Sequence, residues 1–129
     1  MNKTVDEKRK FNRIPFSYQD NIVGSFTHPG RHDKIGAHIL NFSMQGLYFT
    51  MRNEQGKNLA EGDKLVLLEL KGPKQTRYIV NIEIEIARIL DNPGLEHFGY
   101  GCRFISIPET SVKQIKLFLE TWFLESREV

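Results

Sequence analysis

With 129 residues, 40% of them hydrophobic and 26% charged, the chain is long enough for one domain with its own core and too short for two. A net charge of +2 is too small to imply nucleic-acid or membrane binding by itself. The single cysteine, Cys102, excludes an internal disulfide and fits a reducing compartment. No apolar run approaches the roughly 20 residues of a membrane span, and the N-terminus is too polar for a secretory signal. The expectation is a cytoplasmic protein without a membrane span.

Residues 1–14 read as a flexible basic arm, in which Lys3, Lys8, Arg9, Lys10 and Arg13 outnumber Asp6 and Glu7. Residues 15–129 read as the folded domain. Pro15 disfavours helix at Ile14 and starts an extended segment. Phe16 to Phe26 sets Phe16, Tyr18, Ile22 and Phe26 against Ser17, Gln19, Asn21 and Ser25 at strand period. His28 to Lys34 is a turn-rich loop. Lys34 to Asn41 and Gly46 to Met51 form two strands around a tight connection, and Asn53 to Asp63 is a loop.

Lys64 to Leu70 is apolar enough for a strand buried on much of both faces. Gly72-Pro73 turns the chain into Arg77 to Leu90, whose Tyr78, Val80, Ile82, Ile84 and Ile86 share one face while Arg77, Asn81, Glu83 and Glu85 share the other. Asp91 to Glu96 is a turn, and Phe98 to Ile105 places Phe98, Tyr100, Cys102 and Phe104 on a common side. The period then becomes helical: Val112, Ile115, Phe118, Leu119, Trp122 and Phe123 mark a helix over about 107–125. Ser106 and Glu109 form a possible capping box, with Pro108 in the first turn. Six short strands followed by one helix predict a mostly β fold, a small six-stranded antiparallel barrel capped by its C-terminal helix.

Two polar strings stand out. Arg9-Lys10-Phe11-Asn12-Arg13 reads RxxxR, and Asn41-Phe42-Ser43-Met44-Gln45-Gly46 reads NxSxxG. Alone, the first is an ordinary solvated charge run and the second an ordinary hairpin turn. In this order, with strands around the second string and Tyr100-Gly101-Cys102-Arg103-Phe104-Ile105 before the helix, the chain from Arg9 to about Phe123 resembles the PilZ domain family of bacterial cyclic di-GMP receptors.

That resemblance implies a non-catalytic receptor whose ligand is cyclic di-GMP, bound as one molecule or a stacked pair, with no further cofactor. Such a ligand offers phosphates, guanine O6/N7 edges and flat bases. An arginine fork addresses all three, so Arg9 and Arg13 are expected to bracket it. Asn41 and Ser43, two apart, are expected on one face, the amide oxygen accepting from a guanine N–H and the hydroxyl donating to phosphate or base. Gly46 is expected to allow positive φ and close approach. Family members often carry aspartate at the position of Asn41, so guanine pairing is expected to be weaker here. Lys8, Lys10 and Arg103 are candidate peripheral contacts, and a basic Lys8 favours the stacked pair. Ligand binding would order the arm, and arm plus ligand would meet an unidentified downstream protein.

Other readings have less behind them. Ser43 lacks the GxSxG context of a hydrolase nucleophile. His28 and His32, separated by Pro29 and Gly30, do not form a helical metal pair, and no metal site is expected. Tyr48 and Phe11 could stack on guanine, but packing is the default for an aromatic in a small barrel. Two rivals remain: a ligand-independent adaptor of the same fold, and a small-barrel nucleic-acid binder. The acidic Glu54, Glu61, Glu83 and Glu85 argue against the second, so no DNA is expected as partner.

Overall fold

The computed structural model describes residues 14–29, 34–52, 59–90 and 97–126. Lys8, Arg9, Lys10 and Arg13 lie outside the described residues, as does the expected turn at 91–96. The strands are β1 (Ile14–Pro15), β2 (Val23–Thr27), β3 (Lys34–Phe42), β4 (Gly46–Arg52), β5 (Lys64–Lys71), β6 (Arg77–Leu90) and β7 (His97–Ser106), followed by helix α1 (Glu109–Ser126). They pair in the order β1-β3-β2-β5-β6-β7-β4, and β4 returns to β3. Among the described residues, β2 to β7 therefore close into the expected six-stranded antiparallel barrel. Closure leaves no free edge along most of its length.

The clearest sequence pattern is also the best realised. Tyr78, Val80, Ile82, Ile84 and Ile86 are all buried, and Arg77, Asn81 and Glu83 are exposed. β7 likewise buries Tyr100 and Cys102 and partly buries Phe98 and Phe104. β5 departs from expectation: Leu65, Leu67 and Leu70 are buried, while Val66, Leu68 and Glu69 are only half-buried. In a small antiparallel barrel the outer face meets solvent, so one side of each strand carries the core.

Phe16 to Phe26 is not one strand. A 3-10 turn at Tyr18–Asp20 interrupts it, with the Asp20 carboxylate accepting the Ser17 N–H at 2.7 Å and Asn21 in the left-handed region at φ 54°. Short polar side chains that bond local backbone compete with a strand ladder. Both flanks of the turn still run along β3: Phe16 N–H donates to the Leu40 carbonyl, and Ile39 N–H to that of Ile22. Phe16, Ile22 and Phe26 are buried, whereas Tyr18, at 47% exposed, is carried outside.

Helix α1 plugs one end of the barrel. Phe118 is fully buried, with its ring centroid 6.0 Å from Phe16, 5.9 Å from Phe42 and 5.4 Å from Tyr78. Burying Ile115 and Phe118 is worth roughly 1.5–3 kcal/mol each, and the Ser111 hydroxyl pins the first turn by donating to the Val80 carbonyl. The Ser106 capping box does not form. Ser106 ends β7, and the Pro108 carbonyl accepts the first helical N–H groups, from Ser111 and Val112. Phe123 is 48% exposed, because the stripe that meets the barrel end runs through Ile115, Phe118 and Trp122. Trp122 packs edge-on against Phe16 at 5.0 Å and ties the helix to the segment just after β1.

Candidate ligand-binding site

The NxSxxG string builds the β3–β4 hairpin. Ser43, 4% exposed, accepts the N–H groups of Gln45 at 3.1 Å and Gly46 at 3.2 Å, and its hydroxyl donates to the Gly46 carbonyl at 3.3 Å. A hydroxyl has one donor and two acceptor sites, and the turn occupies all three. Asn41 and Ser43 do not share an outer face, because β3 ends at Phe42 and strand alternation ends with it. Asn41 lines the outer pocket described below; Ser43 shapes the turn.

Of the two roles expected of Gly46, close approach is present, to the backbone of β7, and positive φ is not. Among the described glycines only Gly62 has a positive φ. A Cβ at Gly46 would overlap the Cys102 carbonyl oxygen and lie 3.2 Å from the Arg103 Cα. The missing side chain lets β7 lie against the turn, with Gly46 opposite Arg103 and Phe104 N–H donating to the Gln45 carbonyl at 2.9 Å. Arg103 is thereby held beside the NxSxxG hairpin.

Strand register carries the site across four strands. Asn41 pairs with Tyr48, Tyr48 with Gly101, and Gly101 with Arg88, so one rung crosses β3, β4, β7 and β6. These residues, with Leu90 and Arg103, line an outer pocket of about 340 Å³, within the range of roughly 300–1,000 Å³ usual for small-molecule sites. Arg103 is fixed by Glu85, its Nε donating to Oε1 at 2.7 Å and its Nη2 lying 2.5 Å from the same oxygen. Burial, with Tyr18 adding to it, pushes the Tyr48 hydroxyl above its ordinary pKa of 10.0. The pocket thus combines a flat aromatic, an amide and two guanidinium groups, a set suited to an anionic ligand with planar bases.

β1 runs beside this place. Pro15 pairs with Asn41 and Ile14 with Phe42. Of the expected site residues, the structure brings Asn41 and Arg103 into one pocket, with Ser43 and Gly46 forming the turn beside it.

Sequence reasoning missed Arg88. Strict alternation from Ile86 puts residue 88 inside the barrel, but a bulge at Ala87 exposes both Ala87 and Arg88 and half-buries Ile89. The charge at position 88, on a strand with an otherwise apolar inner face, was the only available signal.

Residues 7–121 match the family model described as the PilZ domain. The chain belongs to the PilZ domain family. Among solved structures, this PilZ domain is similar to that of YcgR from Escherichia coli with c-di-GMP: TM-score 0.68, 15% identity, covering 94% of this chain and 95% of that one. It is similar to the Bacillus subtilis inhibitor of motility MotI/DgrA at TM-score 0.64 and 15% identity, covering 94% of this chain and 52% of that one. The K. pneumonia MrkH–c-di-GMP complex matches at TM-score 0.64 and 16% identity, covering 92% and 53%. The chain spans about half the length of these last two. At such identities the likeness is one of fold. No curated protein matches the sequence. Among the described residues no helix is long and apolar enough to cross a membrane, and no cluster of side chains is arranged to hold a metal ion.

Proposed function

We propose that this PilZ domain is a non-catalytic, cytoplasmic receptor for cyclic di-GMP. The observation that carries the reading is the docking of β1 on the Asn41 hairpin, through Pro15 opposite Asn41. Chain continuity keeps Arg13 within two residues of that pairing and Arg9 within roughly 13 Å of Arg13. Both arginines can therefore reach a ligand seated over Asn41. Their forks take phosphate or guanine edges, the Asn41 amide oxygen accepts from a guanine N–H, and Arg103 supplies a further phosphate contact. Ser43 and Gly46 contribute by holding the hairpin and β7 in place. In this reading Lys8 and Lys10 supply peripheral contacts, and the ligand is one dinucleotide or a stacked pair. The PilZ domain of YcgR and MrkH, which have this fold, have been solved with c-di-GMP.

Closure of residues 1–13 over the ligand then creates a surface for a downstream protein, and the contacts offset the entropy of ordering that segment. Calorimetric titration of the purified chain with cyclic di-GMP tests the reading. Saturable binding is expected, lost in Arg13→Ala and weakened in Asn41→Ala, with thermal midpoints nearly unchanged. No heat up to roughly 100 µM ligand would refute the receptor and leave the ligand-independent adaptor.

A further inference from the structure

The pocket has a floor whose composition packing does not explain. Along β7 the outward positions around the rung are Gly99 and Gly101. Gly99 has a local reason: the Tyr48 ring and hydroxyl occupy the space a side chain would take. Gly46 has one too, in the backbone of β7. Gly101 has none, since the nearest atoms to a Cβ there, the Arg88 Cβ and carbonyl oxygen, are both 3.8 Å away, an ordinary contact. Glycine inside a strand weakens it, and where packing does not require it, it marks a place where something approaches the backbone closely.

The walls are equally specific. On one side Tyr48 leans across Gly99, and on the other Arg88 stands directly opposite Gly101. Arg88 is exposed and forms no ion pair among the described residues, unlike Arg103, which is held by Glu85. It faces outward only because of the Ala87 bulge, a device that re-aims a side chain beside functional sites. A flat, open trough thus ends on an unengaged planar cation.

We infer that this trough is a guanine seat: one base of the dinucleotide lies on the Gly101 floor, bounded by Tyr48, with the Arg88 guanidinium forked to its O6 and N7. The inference rests on the receptor reading above and adds to it a further residue that selects guanine. Adenine offers N7 but a donor amino group in place of O6, so the fork that suits guanine is half repelled by adenine. Arg103, by contrast, would serve phosphates common to both dinucleotides.

The test is titration of the full chain and of Arg88→Ala, Arg103→Ala and Gly101→Val with cyclic di-GMP and with cyclic di-AMP, each protein also melted thermally. Wild type is expected to prefer cyclic di-GMP. Arg88→Ala should weaken cyclic di-GMP roughly tenfold to a hundredfold and shrink the preference, while Arg103→Ala weakens both ligands and preserves it. Gly101→Val should lose binding at least tenfold without a lower melting temperature, with Gly101→Ala as the milder version if valine perturbs the strand. An Arg88→Ala protein that keeps its guanine preference, or a folded Gly101→Val or Gly101→Ala protein with wild-type affinity, overturns the seat and leaves the receptor standing. Wild-type protein that binds neither dinucleotide overturns the receptor, and the seat with it.

Discussion

Removing one hydroxyl, in Ser43→Ala, separates a turn-holding serine from a ligand-holding one. In the structure the Ser43 oxygen is the acceptor for the Gln45 and Gly46 N–H groups and donates to the Gly46 carbonyl. Gln45 is exposed, so water can take over its N–H; Gly46 is buried, so its donor stays unpaired. One unsatisfied buried donor costs about 1–3 kcal/mol. For a domain of this size each kcal/mol moves the thermal midpoint by about 4 °C, giving an expected drop of roughly 4–12 °C. Urea unfolding should show a lower midpoint with unchanged slope, because the exposed surface does not change. Cyclic di-GMP binding should weaken only through loosening of the hairpin. Unchanged stability with abolished binding would refute the reasoning and return Ser43 to direct contact with the ligand.

Phe118→Ala removes the ring that joins α1 to Phe16, Phe42 and Tyr78; a loss of about 3–5 kcal/mol is expected in urea unfolding, and a loss under about 1 kcal/mol would show that the helix is not a plug. Glu85→Gln frees Arg103 from a partly exposed ion pair worth about 0.2–1 kcal/mol, so affinity for cyclic di-GMP should rise by up to about fivefold; a weaker complex would mean that Glu85 itself contacts the ligand. Tyr48 carries a raised folded-state pKa through burial and the nearby Tyr18. Its contribution to stability is therefore full below pH 10.0 and is lost as pH rises through the folded value. Stability of the wild type should fall more steeply with alkaline pH than that of Tyr48→Phe, and parallel urea-midpoint curves would contradict this.

How far the site could be read in advance differs from residue to residue. Tyr78 to Ile86 alternate because each side chain's face is set by its immediate neighbours, so local order sufficed. The hairpin at Ser43 and the helix through Ile115 and Phe118 were visible for the same reason. The 3-10 turn at Tyr18–Asp20 was hidden, since its polar side chains fit a strand's outer face as well as a turn. Arg88 was hidden more deeply: the bulge at Ala87 is a mismatch between β6 and β7, and a mismatch between two strands exists only once they pair.

The sequence by itself determined the barrel-plus-helix class, the hairpin and the family membership, because burial period, turn chemistry and motif order are local properties of the chain. Only the tertiary structure decided that Asn41, Tyr48, Gly101 and Arg88 form one rung and that β1 lies against Asn41. Only there did Ser43 and Gly46 acquire their roles in shaping the turn. The physical reason is that register between strands far apart in sequence is set by how the whole core packs, and a site built across four strands inherits its composition from that register.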